Sequence, residues 1–113
     1  MQILLPPSEG KHIPDVGPAL KLSELSFAAP LLHARKISLG DDPTLVRAPA
    51  AAAHDIYSGV LYSALDWETL NAASRTRANR SVIIISARFG ALRLTDRIPT
   101  YRARIENSVW REP

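Results

Sequence analysis

Apolar positions along the chain come in short runs rather than long stripes. The densest is Val82, Ile83, Ile84 and Ile85, consecutive β-branched residues with no polar alternation. That pattern predicts a strand covered on both faces and central in its sheet. β-branching and short length set it against the competing buried helix. A second run, Gln2 to Leu5, predicts a strand stopped by Pro6 and Pro7, which donate no ladder hydrogen bond. Residues 12–30 read as irregular, with Leu22, Leu25 and Phe27 tucked against the core. Ala28 to Ile37 predicts a short helix whose apolar members are Leu31, Leu32 and Ile37, broken by Gly40-Asp41-Asp42-Pro43. Thr44 to His54 holds Ala50 to Ala53, a run that favours helix, with Pro49 tolerated in its first turn. Tyr57, Leu61 and Leu65 recur at every fourth position and predict a shared helix face. Asp66 is placed to cap a helix from Trp67 to about Asn79, with Glu68 near its positive end and Arg75 and Arg77 near its negative end. That helix feeds the central strand, and Leu92, Leu94 and Ile98 beyond it are expected to be partly buried. The expectation is an α/β fold: a mixed sheet with a central buried strand at about 82–86 and flanking short helices, in a single domain over residues 1–113.

Composition narrows this picture. A chain of 113 residues suffices for one modest domain, and a hydrophobic content of 46% sets it apart from disordered sequences. No apolar run approaches the roughly 20 residues of a membrane span. The absence of cysteine excludes a disulfide framework and a thiolate metal site. A cytoplasmic protein is the expectation. The net charge of +3 is unevenly spread: residues 1–74 carry −3, whereas residues 75–113 carry +6 and every basic residue there is Arg. Arginine is the better bidentate partner for phosphate, so the imbalance suits a polyanion; on composition alone, an arginine-rich bias in the coding DNA is the simpler account.

Candidate chemistry concentrates in two loops. Ser8-Glu9-Gly10-Lys11 follows the first strand and offers a hydroxyl, an ammonium and backbone N–H groups to an anion. It lacks the spacing of a P-loop. Ser86-Ala87-Arg88-Phe89-Gly90 leaves the central strand, at the end where open α/β sheets hold their ligands. Arg88, Arg93, Arg97, Arg102 and Arg104 follow, and are expected to converge with Lys11 on one positive hollow. Either a polynucleotide backbone or a small phosphorylated ligand suits such a hollow. His12, His33 and His54 share no ligand spacing, and the Asp41-Asp42 pair reads as a solvated turn, so no metal is assigned. No cofactor and no catalytic residue is assigned either.

Three segments, taken in order, carry a resemblance. They are Ile3-Leu4-Leu5-Pro6-Pro7-Ser8-Glu9-Gly10-Lys11, then Tyr57-Ser58-Gly59-Val60-Leu61-Tyr62-Ser63-Ala64-Leu65-Asp66, then Ala87-Arg88-Phe89-Gly90-Ala91-Leu92-Arg93 through Ile98-Pro99-Thr100-Tyr101-Arg102. Together they resemble the N-terminal half of the YaaA peroxide-stress family. The resemblance implies a mixed α/β fold with a basic cleft, DNA as a partner, and protection from peroxide by limiting unincorporated iron. By motif match Ser8 and Lys11 fall in the family's N-terminal loop, and Gly90, Arg93, Asp96, Tyr101 and Arg102 in its second signature. The expected anion or nucleic-acid site is Ser8, Lys11, Arg88, Arg93, Arg102 and Arg104, with Tyr57, Gly59, Tyr62, Gly90, Asp96 and Tyr101 as structural motif residues. Leu94 stands where the family has Pro, and residues 37–57 look short where the family carries a helix-hairpin-helix. Family members are roughly twice as long, so the expectation is a truncated or short member, with a non-functional fragment and a nucleotide-binding enzyme as alternatives. Loss of neighbouring strands is expected to expose an apolar sheet edge.

Overall fold

The computed structural model describes residues 2–8, 10–40, 42–86 and 88–101. Arg102 and Arg104 lie outside the described residues. The chain folds as a mixed α/β protein around a three-stranded sheet in the order β1-β3-β4, comprising β1 (Ile3–Leu5), β3 (Val82–Ser86) and β4 (Gly90–Leu92). β3 is central: it pairs parallel with β1, Leu5 opposite Ile84, and antiparallel with β4, Ile84 opposite Leu92. Val82, Ile84 and Ser86 are buried while Ile83 and Ile85 are half-buried, so one face is sealed and the other partly covered. Burying Ile84 alone contributes about 1.5–3 kcal/mol. On β1, Ile3 and Leu4 are 47% and 65% exposed, the apolar edge anticipated from the sequence.

Helices α1 (Ala28–Leu39), α2 (Pro43–Arg47), α3 (Ala53–Ile56), α4 (Val60–Leu65) and α5 (Ala72–Ser81) surround the sheet. Helix α1 appears where predicted, but its buried face differs. Ile37 is 54% exposed, whereas Arg35 is fully buried. The row Leu31, Arg35, Leu39 sits at spacing four on the inward side, and Arg35 takes the middle place. Its Nε donates to the Phe89 carbonyl at 2.8 Å and its NH2 group to the Ala91 carbonyl at 2.7 Å.

The alanine run is not one helix. Ala51–Ala52 form β2, antiparallel to β5 (Arg97–Ile98), and only Ala53 begins a helix, α3. Non-local pairing overrides local propensity here, as Ala50 N donates to the Pro18 carbonyl at 2.8 Å and Ala53 N to the Asp96 carbonyl at 2.8 Å. Small side chains permit this close approach, and Ala50 and Ala53 are 1% and 0% exposed. Tyr57 does not join the face of α4 either; it forms a bridge to Lys11, and Leu61 is 52% exposed while Tyr62 is buried. Asp66 caps no long helix. It takes a left-handed conformation before a single 3-10 turn, Trp67–Thr69, and Asn71 caps α5 by accepting from Ser74 N at 2.8 Å. Leu92, Leu94 and Ile98 are fully rather than partly buried.

Asp96 fixes the turn that leads from β4 to β5. Its carboxylate accepts from Ser26 Oγ at 2.8 Å, from Arg93 N at 2.9 Å and from Ser26 N at 3.1 Å, and the residue is 6% exposed. Every partner is a donor. Asp96→Asn turns one acceptor into a donor facing donors, and is expected to cost about 1–3 kcal/mol. Chemical unfolding in urea measures this, and an unchanged midpoint would refute the assignment.

Candidate anion-binding site

The first two signature segments meet by backbone pairing. Lys11 bridges Tyr57, His12 N donates to the Ile56 carbonyl at 2.7 Å, and Ser58 N lies 3.0 Å from Ser8 Oγ, to which it donates. The contact is close: a Cβ on Gly10 would stand 2.8 Å from Ser58 Oγ, so this position requires glycine or a shift of that side chain. Ser8 Oγ in turn donates to the Gly10 carbonyl, closing the loop that follows β1. At Gly59, φ is +106°, which lets the chain turn from the bridge into α4. Gly90, at φ +71°, does the same where the chain turns back from β3 into β4.

The third segment arrives through a chain of hydroxyls. Ser86, the last residue of β3, donates to Tyr101 Oη at 2.8 Å and accepts from Arg88 N at 3.1 Å and Phe89 N at 3.0 Å. Tyr101 Oη shares a hydrogen with Tyr57 Oη across 2.6 Å. The Tyr57 ring stacks on Tyr62 at 5.4 Å, and Tyr62 Oη donates to the Pro6 carbonyl at 2.7 Å. The Lys11 ammonium lies 4.6 Å from the centre of the Tyr101 ring and 5.9 Å from that of Tyr57, within cation–π range. Burial pushes Tyr57, Tyr62 and Tyr101 above the ordinary tyrosine pKa, so all three hydroxyls keep their protons at neutral pH.

Two hollows flank this group at the carboxyl ends of β1 and β3. One, of about 350 Å³, is lined by Asp42, Thr44, Arg88, Thr100 and Tyr101 among others. The second, of about 240 Å³, is lined by Ser8, Gly10, Ser58, Gly59 and Tyr62 among others. The first is of ligand size.

Ser8, Lys11, Tyr57, Gly59, Tyr62 and Tyr101 therefore come together, and Arg88 reaches the same hollow as Tyr101. Arg88 is held by the Ser38 carbonyl and by Asp42 at 3.5 Å. Arg93 does not converge. Leu92 faces Ile84 in the sheet, so Arg93 lies toward the start of β3, opposite to the end that carries Ser86. Its NH1 group donates to the Asn79 and Arg80 carbonyls, each at 2.9 Å, and its guanidinium covers the Phe27 ring at 5.1 Å. Those carbonyls belong to the last turn of α5, where a cation is favoured. Arg97 is likewise committed, to the Ala50 carbonyl at 2.8 Å. Sequence reasoning missed Ser86 and Arg35. Ser86 was visible in the parity of the strand, since it follows Val82 and Ile84 on the buried face.

The arrangement defines a class: a small mixed α/β protein whose sequence signatures assemble at the carboxyl edge of its sheet, around a lysine and three tyrosines. Residues 20–112 match the family model described as Peroxide stress protein YaaA, and the chain belongs to that family. It is 38% identical over 130 aligned residues to a UPF0246 protein of Streptomyces coelicolor. To the UPF0246 proteins of Corynebacterium efficiens and Corynebacterium glutamicum it is 35% identical over 127 residues. Each match takes in 90% of this chain and 50% of the relative, so the chain spans about half the length of the curated relatives it matches. The alignments are longer than this chain's 113 residues, so the relatives carry residues inside the matched span that it lacks.

Proposed function

We propose that this peroxide-stress protein binds nucleic-acid phosphates at the carboxyl edge of its sheet, through Lys11, Ser8 and Arg88. The observation that carries the reading is the placement of the Lys11 ammonium over the ring of Tyr101, which lines the Arg88 hollow, while Gly10, the neighbour of Lys11, lines the hollow that holds Ser8. A cation held against the neutral rings of Tyr57 and Tyr101 supplies the positive charge that a phosphate requires. Arg93 takes no part, because its donors serve α5. Arg102 and Arg104 extend the basic segment in sequence. A cytoplasmic setting, expected from composition, and a role in limiting unincorporated iron, implied by the family resemblance, accompany this proposal.

Fluorescence anisotropy with a labelled DNA duplex across a salt series tests it. Affinity is expected to fall with salt, with a log–log slope of about −0.9 per phosphate neutralised. Lys11→Gln and Arg88→Gln are each expected to shorten that slope by about one phosphate, whereas Arg93→Gln leaves it unchanged. Binding that ignores salt, or a slope that responds to Arg93 and not to Lys11, would refute this placement.

The size of the Arg88 hollow favours a second reading, a small phosphorylated ligand held by Thr44, Arg88 and Thr100. Nucleotides would then raise the melting temperature by mass action. No shift with any nucleotide, alongside salt-dependent DNA binding, rejects the second reading and leaves the first.

A further inference from the structure

Away from the tyrosine cluster, the fold brings His54, Asp55 and Glu68 together, three residues that share no motif spacing in the sequence. One ligand atom from each lies within 4.8 Å of the others. His54 and Asp55 belong to α3, and Glu68 to the 3-10 turn Trp67–Thr69 that replaces the start of the predicted long helix. We propose that His54, Asp55 and Glu68 form a binding site for one first-row transition-metal dication, with water completing its coordination.

The donor set argues for the ligand class. One imidazole nitrogen and two carboxylate oxygens suit an intermediate-soft dication, whereas calcium and magnesium take oxygen alone. Metal–ligand bonds of about 2.1 Å put adjacent donors of an octahedron about 3 Å apart. His54 Nδ1 and Asp55 Oδ1 already stand at 3.2 Å. Glu68 is the outlying ligand, and with its side chain 80% exposed it swings in without disturbing the core.

The histidine is held in place before any ion arrives. Its side chain is 10% exposed and its ring stacks on Trp67 at 4.3 Å with planes 17° apart. Its backbone N donates to the Leu94 carbonyl at 3.0 Å. Support of this kind fixes the orientation of a ligating imidazole. The opposing feature is Arg75, whose guanidinium lies 3.8 Å from Glu68 and stacks over Trp67 at 5.4 Å. It competes with the ion for the same carboxylate. Its removal therefore provides a test of its own, since lifting that competition is expected to tighten binding.

Trp67 is a built-in reporter, because a paramagnetic ion beside His54 quenches the indole stacked on it. The chain has two tryptophans, so the experiment uses Trp110→Phe as the parent. Titration with cobalt(II) is expected to give saturable quenching with one ion per chain, unaffected by excess magnesium. Asp55→Asn and Glu68→Gln, both at exposed positions, are expected to weaken it at least tenfold without altering the fold. Arg75→Gln is expected to tighten it severalfold. Quenching that fails to saturate, that survives Glu68→Gln and Asp55→Asn, or that is indifferent to Arg75 overturns the site and leaves His54–Asp55 as an ordinary hydrogen-bonded pair.

Discussion

Arg35→Ala is expected to cost about 3–5 kcal/mol, enough to leave a domain with typical stability of about 5–15 kcal/mol only marginally folded. The residue is fully buried, and its two hydrogen bonds satisfy the carbonyls of Phe89 and Ala91, on either side of the Gly90 turn. Alanine leaves both carbonyls without a partner, at about 1–3 kcal/mol each, and opens a cavity between α1 and β4. It also removes the cation that faces Asp96, whose charge opposes the loss of proton affinity that burial imposes on Arg35. One NH1 nitrogen of Arg35 is buried with no hydrogen-bond partner, so the native arrangement is itself imperfect. That detail separates two variants. Arg35→Met keeps most of the volume and removes both the buried charge and the orphaned nitrogen, so it is expected to cost about 1–3 kcal/mol less than Arg35→Ala. Urea unfolding with a common slope reads both. Equal losses would mean that the lost hydrogen bonds carry the cost and the cavity adds nothing, and an unchanged Arg35→Ala midpoint would show that the guanidinium contributes nothing.

The same residue shows where sequence reading stops. A pattern reading scores Arg as polar and takes Leu31, Leu32 and Ile37 as the apolar members of α1, yet Ile37 is exposed and Arg35 is buried. What makes Arg35 a core residue is a pair of carbonyls more than 50 positions away, which no local pattern records. The alanine run failed for the same reason: its propensity is helical, but β5 and Pro18 claim its backbone first. At the head of α5 the sequence reading places the cap at Asp66, whereas Asn71 is the residue that caps the helix. Trp67 decides between them by stacking on His54, which holds the chain in a separate turn before the helix begins. By contrast β3 was readable, because four consecutive β-branched residues have few other places to go. The loop at Ser8 to Lys11 and the tyrosines were readable as separate segments. Their assembly was not, since it depends on the bridge between Lys11 and Tyr57 and on Ser86 reaching Tyr101. The arginines were the opposite case. They were read as a group because they are close in sequence, yet antiparallel pairing of β3 and β4 carries Arg93 away from Arg88.

Above pH 10 the protein is expected to lose stability steeply, and the tyrosine cluster is the reason. All three tyrosines of the chain are in it, and burial raises the pKa of each above the ordinary value of 10.0. A raised pKa on an acid means that the folded state holds protons which the unfolded chain releases. Below pH 10 both states are protonated and stability does not depend on these groups. As pH rises past 10 the unfolded chain ionises first, and each tyrosine draws stability down by about 1.4 kcal/mol per pH unit until its own folded pKa is reached. Three together approach about 4 kcal/mol per unit, so unfolding follows within a few pH units. Ultraviolet absorbance of tyrosinate and far-ultraviolet circular dichroism, followed together, test this. Tyrosinate is expected to appear with the loss of secondary structure in one cooperative step above pH 10. Ionisation of all three near pH 10 with the dichroism intact would show that the hydroxyls are open to water, and the hydrogen-bonded chain from Ser86 through Tyr101 to Tyr57 would then have no hold on the site. Tyr57→Phe discriminates further. It removes one ionising group and so makes the decline above pH 10 shallower by about a third, while at neutral pH it costs about 0.5–1.5 kcal/mol for the hydrogen bond to Tyr101. Opposite changes in the two pH ranges are what a buried, hydrogen-bonded phenol requires, and a variant that merely loosened the core would lower stability in both.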